Sequence, residues 1–285
     1  MSSVFLVMAH RDPDQVARLA GDLVGSSRRV YLHLDAAVAP DPFRRALAGR
    51  LGTRAAEVRW VADRVRVRWG GLSLVRAAFG AARQAFADGP VARATLLSGA
   101  CRLVRPVDEP DRLDPHTEYL RVDRVITPAG GFQAEKLSRR WFDDSRLLAR
   151  LGGRLPRRWP AGLPPIRQGA VWWSLTGDGL AYVLAAADRR PALLTALQHA
   201  HCADEMVVPT LIADSAYGER VSQRYDLDPA AAEGVSRHGL HYLRWHQGAW
   251  SPDWLTAADL PAIRASGAYF ARKVDSVRSA DLLPA

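Results

Sequence analysis

The fold is decided near the amino terminus by the stretch Val4-Phe-Leu-Val-Met-Ala-His10, an apolar run that ends on a histidine. A short run that contains Val and Phe favours a buried β-strand. Residues 16–24 follow an Asp/Pro turn and carry apolar side chains at helical spacing. This succession of strand, loop and helix is typical of sheets whose parallel strands are joined by helical crossovers.

The same alternation continues through the first half of the chain. The patterns predict strands over residues 29–35, 58–61 and 92–97, and helices over residues 42–51 and 72–87. Helical connections of this length indicate an α/β fold with a mostly parallel central sheet and helices on both faces. Ligands of such sheets bind beyond the carboxyl ends of the strands, where His10, Asp35 and Ser98-Gly99 fall.

The second half of the chain is less regular. Residues 151–168 are rich in Gly, Pro and Arg, which predicts a loop. Farther along we predict a strand over residues 171–175, helices over residues 179–187 and 191–200, and a helix that opens within residues 205–212. We expect the tail after Asp275 to be peripheral.

Composition excludes several classes of protein. The chain has 285 residues, 48% of them hydrophobic, and a formal net charge of +9. This apolar content excludes a disordered chain, and no apolar run approaches the about 20 residues that a membrane-spanning helix needs. The amino terminus does not resemble a signal peptide, and Cys101 and Cys202 are too few for a disulfide framework. We therefore expect a soluble cytoplasmic protein with unpaired thiols.

The excess of basic over acidic residues has more than one interpretation. A pI near 10.2 is typical of nucleic-acid-binding proteins. However, lysine occurs only at positions 136 and 273, and the arginines are spread over the whole chain instead of forming one stripe. We therefore expect generic surface charge and no nucleic-acid partner, with an anionic small molecule or a membrane surface as the alternative.

Several common catalytic motifs are missing from the sequence. There is no GxGxxG after the first strand and no GxxxxGK[ST], HExxH or GxSxG, which disfavours dinucleotide, P-loop, zinc-protease and serine-hydrolase sites. Asp-x-Asp spacing, which could hold a metal ion, occurs at Asp12-Pro-Asp14 and Asp226-Leu-Asp228. Both pairs lie in turn-like stretches, so a turn or a helix cap is the favoured interpretation.

Two charged segments have both a structural and a catalytic interpretation. Asp204 and Glu205 precede an apolar helical run, which suits a helix amino terminus or a general base. Lys273, beside Phe270 and Arg272, suits a solvated surface or a point charge on a phosphate. Spacing alone leaves these alternatives open.

Two aromatic segments also have both a structural and a ligand-binding interpretation. In Val67-Arg-Trp-Gly-Gly-Leu-Ser73, the glycines permit close backbone approach and the serine can cap the following helix. That pattern suits architecture as readily as ligand binding. The pair Trp172-Trp173 suits a buried core pair or a stacking surface for a sugar ring.

Taken in order, these segments resemble the core-2/I-branching family of glycosyltransferases, family 14, which has many bacterial members. The most specific matches are Trp-Gly-Gly-x-Ser and Phe-Ala-Arg-Lys. The matching pieces run in the family's order and are Ala9-His10, His33-Leu-Asp35, Val67 to Ser73, Leu96-Leu-Ser-Gly99, Gly169 to Leu175, Asp204-Glu205 with Thr210, and Tyr269 to Asp275.

The resemblance implies a GT-A type fold, a UDP-sugar donor, and inverting transfer with neither a metal nor another cofactor. It implies that Glu205 is the catalytic base and that Lys273, Arg244 and Arg272 contact the donor diphosphate. It places His10, Asp35, Trp69, Gly70 and Ser73 at the nucleotide, and Ser98, Gly99, Trp172, Trp173 and Asp204 at the donor or acceptor sugar.

The implied organisation is a single GT-A type domain over residues 1–285. Residues 1–125 would mainly bind the nucleotide sugar, residues 169–275 would hold the acceptor and the catalytic base, and residues 151–168 would be a loop. The sugar would be GlcNAc or xylose, and the acceptor a carbohydrate or a natural product. Peripheral contact with the inner face of the membrane would fit the arginines of the loop.

One stretch departs from the family pattern. After Leu-Ser-Gly the family continues with a carboxylate, an aromatic residue and Pro, whereas this chain has Ala100-Cys-Arg-Leu-Val104. The departure affects the donor-sugar or acceptor contacts that the resemblance implies, and it keeps open a protein that binds a sugar nucleotide without turnover. A transferase with a different nucleotide-sugar donor is a further alternative. A basic nucleic-acid-binding protein is the alternative from another class.

Overall fold

A computed structural model of the chain describes residues 2–25, 28–106, 112–232 and 235–282. The helices of the described residues are α1 Pro13–Leu23, α2 Asp41–Leu51, α3 Leu72–Ala87, α4 Glu135–Ser138, α5 Gly177–Arg189, α6 Pro191–Leu197, α7 Val207–Ala213 and α8 Leu260–Ala265. The strands are β1 Ser2–Ala9, β2 Arg28–Leu34, β3 Val58–Trp60, β4 Val91–Ser98, β5 Cys101–Leu103, β6 Glu118–Ile126, β7 Ile166–Gly169, β8 Ser174–Thr176, β9 Val221–Arg224, β10 Arg237–His238, β11 His241–Leu243 and β12 Phe270–Arg272.

The central sheet has the order β3-β2-β1-β4-β8-β6-β7, with β9 paired to β6. Strands β3, β2, β1 and β4 are parallel, and helices connect them as predicted. Beyond β4 the sheet continues with antiparallel pairs at β4–β8, β8–β6 and β6–β7. The prediction of an α/β fold around a mostly parallel sheet is confirmed, and the antiparallel half was not foreseen.

Strand β1 shows why the sheet carries helices on both faces. Its side chains alternate between two buried clusters, because successive residues of a strand point to opposite faces. Val4, Leu6 and Met8 pack with α3, α5 and α7, whereas Phe5 and Val7 pack with α1 and α2. The apolar run that predicted a strand therefore forms the centre of both cores.

A second sheet has the order β10-β11-β12-β5. Its strand β5 follows directly after β4, and β12 lies between β11 and β5 with Arg272 opposite Cys101. This sheet therefore carries the Arg272-Lys273 segment to the carboxyl end of the central sheet. Cys101 and Cys202 are both buried free thiols, as expected.

Four sequence predictions need correction. The strand predicted over 171–175 is confined to β8, because the backbone at Trp172 leaves the sheet. The predicted loop over 151–168 ends in β7, where Gly169 packs against β6 so tightly that a Cβ would lie 2.0 Å from the Arg121 carbonyl oxygen. The helix predicted over 191–200 ends at Leu197, and the helix expected from residue 205 begins at Val207.

The tail after Asp275 is also packed more firmly than predicted. The Ser276 backbone N–H donates to Oδ2 of Asp12 at 2.7 Å, and the Leu282 side chain is buried. The same aspartate accepts from the Gln15 N–H at the start of α1, so one carboxylate joins the tail to the first helix. Within the described ranges no helix combines the length and apolar character needed to cross a membrane.

Candidate active site

A cleft opens at the carboxyl ends of β1, β2 and β4, where His10, Asp35 and Ser98 lie. It has two adjoining parts, of about 1010 and about 1410 Å³, which we call the Asp35 compartment and the Glu205 compartment after residues that line each. The compartments share several lining residues and so form one continuous cleft. The shared residues are His10, Trp69, Leu74, Ser98, Trp172, Asp204 and Arg272.

Asp35 shapes the first compartment. Its Oδ1 accepts from the Ala37 N–H at 2.7 Å and its Oδ2 from the Val67 N–H at 2.9 Å. The neighbouring His33 is buried, and its Nε2 accepts from the Val65 N–H at 2.9 Å. Burial lowers the pKa of His33, so the ring stays neutral and can accept this bond. The carboxyl end of β2 thus holds the loop that leads to Trp69.

The Trp69 turn depends on its two glycines. Gly70 has a φ of +74°, a conformation that disfavours other residues. A Cβ on Gly71 would lie 2.0 Å from Oδ1 of Asp144, which accepts from the Ser73 N–H at the start of α3. Ser73 is buried, and its hydroxyl accepts from the Arg68 N–H at 2.8 Å. Ser73 therefore shapes the turn and does not line the cleft, whereas Trp69 is 62% exposed and lines both compartments.

Glu205 lies in a 3₁₀ turn, Ala203–Glu205, just ahead of α7. Its Oε2 accepts from Nε2 of Gln168 at 2.7 Å and lies 3.5 Å from Nζ of Lys136. The side chain remains partly exposed to the second compartment. One carboxylate oxygen is therefore held in place from two sides, and the group stays accessible from the cleft.

Asp204 lies beside Glu205 and lines both compartments. Burial and the neighbouring Glu205 carboxylate raise the pKa of Asp204 to about 8. Its Oδ1 is buried and finds no hydrogen-bond partner among the residues that the structure describes. The raised pKa favours the protonated form of Asp204, which can donate a hydrogen bond.

Arg272 supplies an unpaired cation at the junction of the compartments. Its Nε and Nη1 are buried and lack a hydrogen-bond partner within the described ranges. Burial is the main cause that lowers the pKa of this guanidinium, which lies over the Trp172 ring at 4.6 Å. A buried guanidinium with free donors is costly unless an anion meets it, so this is a candidate anion site.

Lys273 lies next to it, in a cluster of cations. Its Nζ lies 3.3 Å from the Ser251 hydroxyl and 4.9 Å from the centre of the Trp254 ring. Arg11 and Arg278 lie over the same ring at 4.8 and 4.9 Å. Burial and the three neighbouring arginines lower the pKa of Lys273, which shows how strongly positive this edge of the cleft is.

Three of the remaining sequence-predicted residues lie away from the cleft or serve packing. Trp173 is buried in the core, so its predicted position near the acceptor is corrected, whereas Trp172 lines both compartments. Gly99 lies behind the cleft, where a Cβ would come within 2.8 Å of the Val16 side chain. Ser98 accepts from the Ala100 N–H at 3.1 Å and does line the cleft.

Arg244 is the third such residue. Its guanidinium forms ion pairs with Asp253 and Asp259 and lines a separate depression, not the cleft. Its donors are used in these ion pairs, so the structure does not bring Arg244 into the cleft, and its contact with the donor diphosphate stays a prediction. Arg11, which the sequence analysis did not single out, lines the Glu205 compartment in its place.

The departure after Ser98-Gly99 also has a structural explanation. Residues 101–103 form β5 and pair with β12, so this stretch supports the strand that carries Arg272. Arg102 is buried against α1, with Nε 3.9 Å from Oδ2 of Asp22, and points away from the cleft. The new arginine therefore adds no charge to the candidate site.

Neither Asp-x-Asp pair has the geometry of a metal site. Asp12 caps α1, and Asp226 is buried between Arg167 and Arg224. Opposite charges hold the pKa of Asp226 below its ordinary value. Across the described part of the chain, no three His, Cys, Asp or Glu side chains are grouped to hold a metal ion.

Sequence reasoning missed the groups that support the site from below. Asp143 accepts from His201 Nδ1 at 2.9 Å and from the Cys202 N–H at 3.2 Å, and Trp141 stacks on His201 at 4.2 Å. Lys136 was the most accessible clue, because it is the only lysine besides Lys273. Both lysines of the chain lie at this site. Asp143 and Gln168 carried no comparable signal.

Comparison with known proteins adds two findings. The family model described as Core-2/I-Branching enzyme matches residues 4–264. Among solved structures, the chain is similar to mouse xyloside xylosyltransferase 1 in its apo form, at 12% identity and a TM-score of 0.36, over 78% of this chain and 84% of that chain. No curated protein matches the chain. The family match ends before Arg272 and Lys273.

Proposed function

The chain belongs to the Core-2/I-branching enzyme family and is a glycosyltransferase, and we propose that it transfers a sugar with inversion from a UDP-sugar to an acceptor hydroxyl without a bound metal. The observation that carries the proposal is that one cleft is lined by a held carboxylate, Glu205, and by two adjacent cations, Arg272 and Lys273. Inverting transfer needs a base and a means to stabilise the leaving diphosphate.

Glu205 is the proposed base. The acceptor hydroxyl gives its proton to the carboxylate while its oxygen bonds to C1 of the sugar, on the face opposite the leaving group. The bond from C1 to the diphosphate oxygen breaks, and UDP leaves with the electron pair. Gln168 and Lys136 hold Oε2, which supports Oε1 as the atom that takes the proton.

Arg272 and Lys273 are the proposed diphosphate contacts, with Arg11 beside them. The free donors Nε and Nη1 of Arg272 suit a bidentate contact with phosphate oxygens. Fixed cations stabilise the charge that develops as the C1 bond breaks, the task that a metal ion performs in other transferases. The positive cluster around Trp254 supports a mechanism that needs no metal.

The nucleotide is proposed to lie in the Asp35 compartment. Its apolar walls, which include Val38, Val67 and Leu74, suit the flat face of a base, and Asp35 lies at its polar end. The donor sugar would then lie near Asp204, Ser98 and Trp172, where the two compartments meet. The protonated Asp204 supports a hydrogen bond to a sugar hydroxyl.

GlcNAc and xylose remain the proposed sugars, on the family resemblance alone. We propose a carbohydrate or natural-product acceptor, such as a surface-polysaccharide precursor, and a cytoplasmic location. Three exposed or half-exposed tryptophans, Trp69, Trp245 and Trp250, line the Glu205 compartment. Indole rings commonly stack on sugar rings, which supports an acceptor of this class.

The test is titration calorimetry and thermal shift with UDP, UDP-GlcNAc, UDP-xylose, UDP-glucose and GDP- or TDP-sugars, in EDTA and then in Mn²⁺. A ligand at 100 times its dissociation constant stabilises the fold by about 2.7 kcal/mol. We expect UDP binding in EDTA that is lost in Lys273→Ala and kept in Arg264→Ala, a control that removes an exposed arginine on α8.

Three outcomes would contradict parts of this proposal. Binding that requires Mn²⁺ would refute the metal-free mechanism. Preference for GDP- or TDP-sugars would refute the UDP donor. Binding of UDP-sugar without release of UDP in the presence of any acceptor, and with no difference between the wild-type protein and Glu205→Ala, would indicate a non-catalytic binding protein.

A further inference from the structure

The segment of residues 146–158, which we call the Arg-Leu loop, exposes apolar and basic side chains together. Leu147 is 87% exposed, and Leu148, Leu151 and Leu155 are each more than 40% exposed. Arginines at four-residue intervals, Arg146, Arg150, Arg154 and Arg158, are exposed among them. Four exposed leucines in so short a segment are typical of a surface that contacts a membrane or another protein.

The leucines cannot turn inward, because the interior of the loop is already filled. The Trp141 ring occupies it so closely that a Cβ on Gly153 would lie 2.9 Å from the ring. Backbone bonds close the loop, from Arg140 N–H to the Leu155 carbonyl and from Arg157 N–H to the Ser138 carbonyl, at 2.8 and 2.7 Å. The exposed leucines are therefore part of a formed surface.

The charge of this surface has one sign. The sequence contains no aspartate or glutamate between Asp144 and Asp178. Asp143 and Asp144 themselves face inward, where they accept from His201 and from the Ser73 N–H. Within the described residues, the exposed arginines of the loop form no ion pair. Their charges remain available to an external anion.

We propose that the Arg-Leu loop docks this protein on the surface of an anionic lipid bilayer. Leucines that enter the headgroup region gain by burial of apolar area, and arginines beside them gain from the negative surface potential. A nucleic acid would use the arginines and leave the leucines in water. An apolar protein groove would leave the arginines unpaired. The bilayer is the partner that satisfies both kinds of side chain.

The loop is joined to the cleft through Trp141, which stacks on His201, the residue three positions before Asp204. Docking would therefore hold the side of the site that carries His201 near the membrane surface. Binding to a bilayer itself needs neither donor nor acceptor, so this inference stands or falls separately from the proposed reaction.

The experiment is flotation of the full chain with phosphatidylcholine vesicles, with and without phosphatidylglycerol. Each arginine near an anionic surface contributes roughly fivefold to binding. The triple variant Arg146→Gln, Arg150→Gln, Arg154→Gln should therefore bind phosphatidylglycerol vesicles on the order of 100-fold more weakly. The variant Leu147→Ser should bind about tenfold more weakly, because it loses one inserted leucine.

A matched control separates this surface from net charge alone. Arg44→Gln, Arg45→Gln and Arg50→Gln together remove the same charge from the exposed face of α2 and should leave vesicle binding within about twofold of the wild type. Equal loss in the control, equal binding to neutral vesicles, or an unchanged Leu147→Ser would overturn the proposal. Salt-sensitive binding to duplex DNA with no vesicle binding would identify a nucleic-acid surface instead.

Discussion

Nε2 of Gln168 lies 2.7 Å from Oε2 of Glu205, so a side chain at the end of β7 holds the carboxylate that precedes α7. On its other side the same oxygen lies 3.5 Å from Nζ of Lys136. Gln168 and Lys136 are thus positioning residues for the proposed base. They fix its orientation and leave its second oxygen for the acceptor.

Removal of either positioning residue should slow turnover more than it weakens donor binding. A hydrogen bond to a charged group contributes about 1.5–3 kcal/mol, so Gln168→Ala and Lys136→Met should each lower kcat by about 10- to 100-fold. The KM for the donor should change less than about threefold, because neither residue is placed at the diphosphate. Steady-state kinetics of UDP release measure both quantities.

Two further variants test this interpretation. Lys136→Arg keeps the cation and should recover part of the lost kcat, whereas Gln198→Ala, at an exposed glutamine just after α6, should match the wild type. A parallel rise in the donor KM and fall in kcat for both positioning variants would point to general damage to the cleft.

Replacement of the proposed base should separate chemistry from binding. Glu205→Gln keeps the shape and the contact with Gln168 but cannot take a proton, so kcat should fall by about 10²–10⁴. The affinity for UDP should stay within a few fold of the wild-type value by calorimetry. Full activity of Glu205→Gln would exclude Glu205 as the base.

Arg272 offers a prediction in which stability and function move in opposite directions. Its buried guanidinium lacks partners for Nε and Nη1 in the described chain, so the free protein bears the cost of an unpaired buried charge. Arg272→Met should leave the Tm of the free protein unchanged or raise it. It should weaken UDP binding by at least about tenfold, because charge-assisted contacts are lost.

Thermal melts with and without UDP measure both effects for Arg272→Met. Arg237→Met, which removes an arginine from the same small sheet, serves as the comparison. A large drop in the Tm of the free Arg272→Met protein would show that this arginine stabilises the fold, and retention of UDP affinity would remove it from the donor site.

Asp204 should make stability depend on pH. Its pKa is about 8 in the folded chain against 3.8 in the unfolded chain, so the folded state favours the protonated form. That contribution is complete below about pH 4, declines as the pH rises, and is lost once the pH passes about 8. Asp204→Asn mimics the protonated form and should become progressively more stable than the wild type between these limits.

Thermal melts of Asp204→Asn and wild type across pH 5–9 test the predicted direction of this stability difference. The Tm difference should grow toward pH 8 and then level off. Asp63→Asn, at an exposed position, serves as the control for the loss of a carboxylate outside the cleft. A difference between Asp204→Asn and wild type that shrinks as the pH rises would contradict the proposed protonation of Asp204.

Prediction of the fold from sequence succeeded where the signals are local. The helix predicted over 72–87 is α3, and the predicted strands at 29–35 and 92–97 match β2 and β4 to within one residue at each end. Apolar periodicity over 6 to 16 residues is enough to identify such elements. The strand predicted at 171–175 failed, because the pattern of Val171-Trp-Trp does not show where a chain leaves a sheet.

The residues of the candidate site also fall into those that local signals could place and those that they could not. His10, Asp35 and Ser98 could be placed at the ends of strands, because a parallel α/β sheet brings those ends to one edge. Trp172 and Trp173 could not be told apart, although one lines the cleft and the other is core. Neighbours on an extended chain face opposite ways, and only the packed sheet shows which face is buried.

The sequence by itself determined the alternation of strands and helices and the order of the family's segments, and through the resemblance it nominated Glu205 and Lys273 for the proposed roles. Tertiary structure alone decided which charges meet. Lys136 reaches Glu205 across 69 residues and Gln168 across 37, while Arg244 is taken up by Asp253 and Asp259. Periodicity is a property of neighbours along the chain, whereas such pairs depend on sheet register and loop closure, which no local pattern encodes.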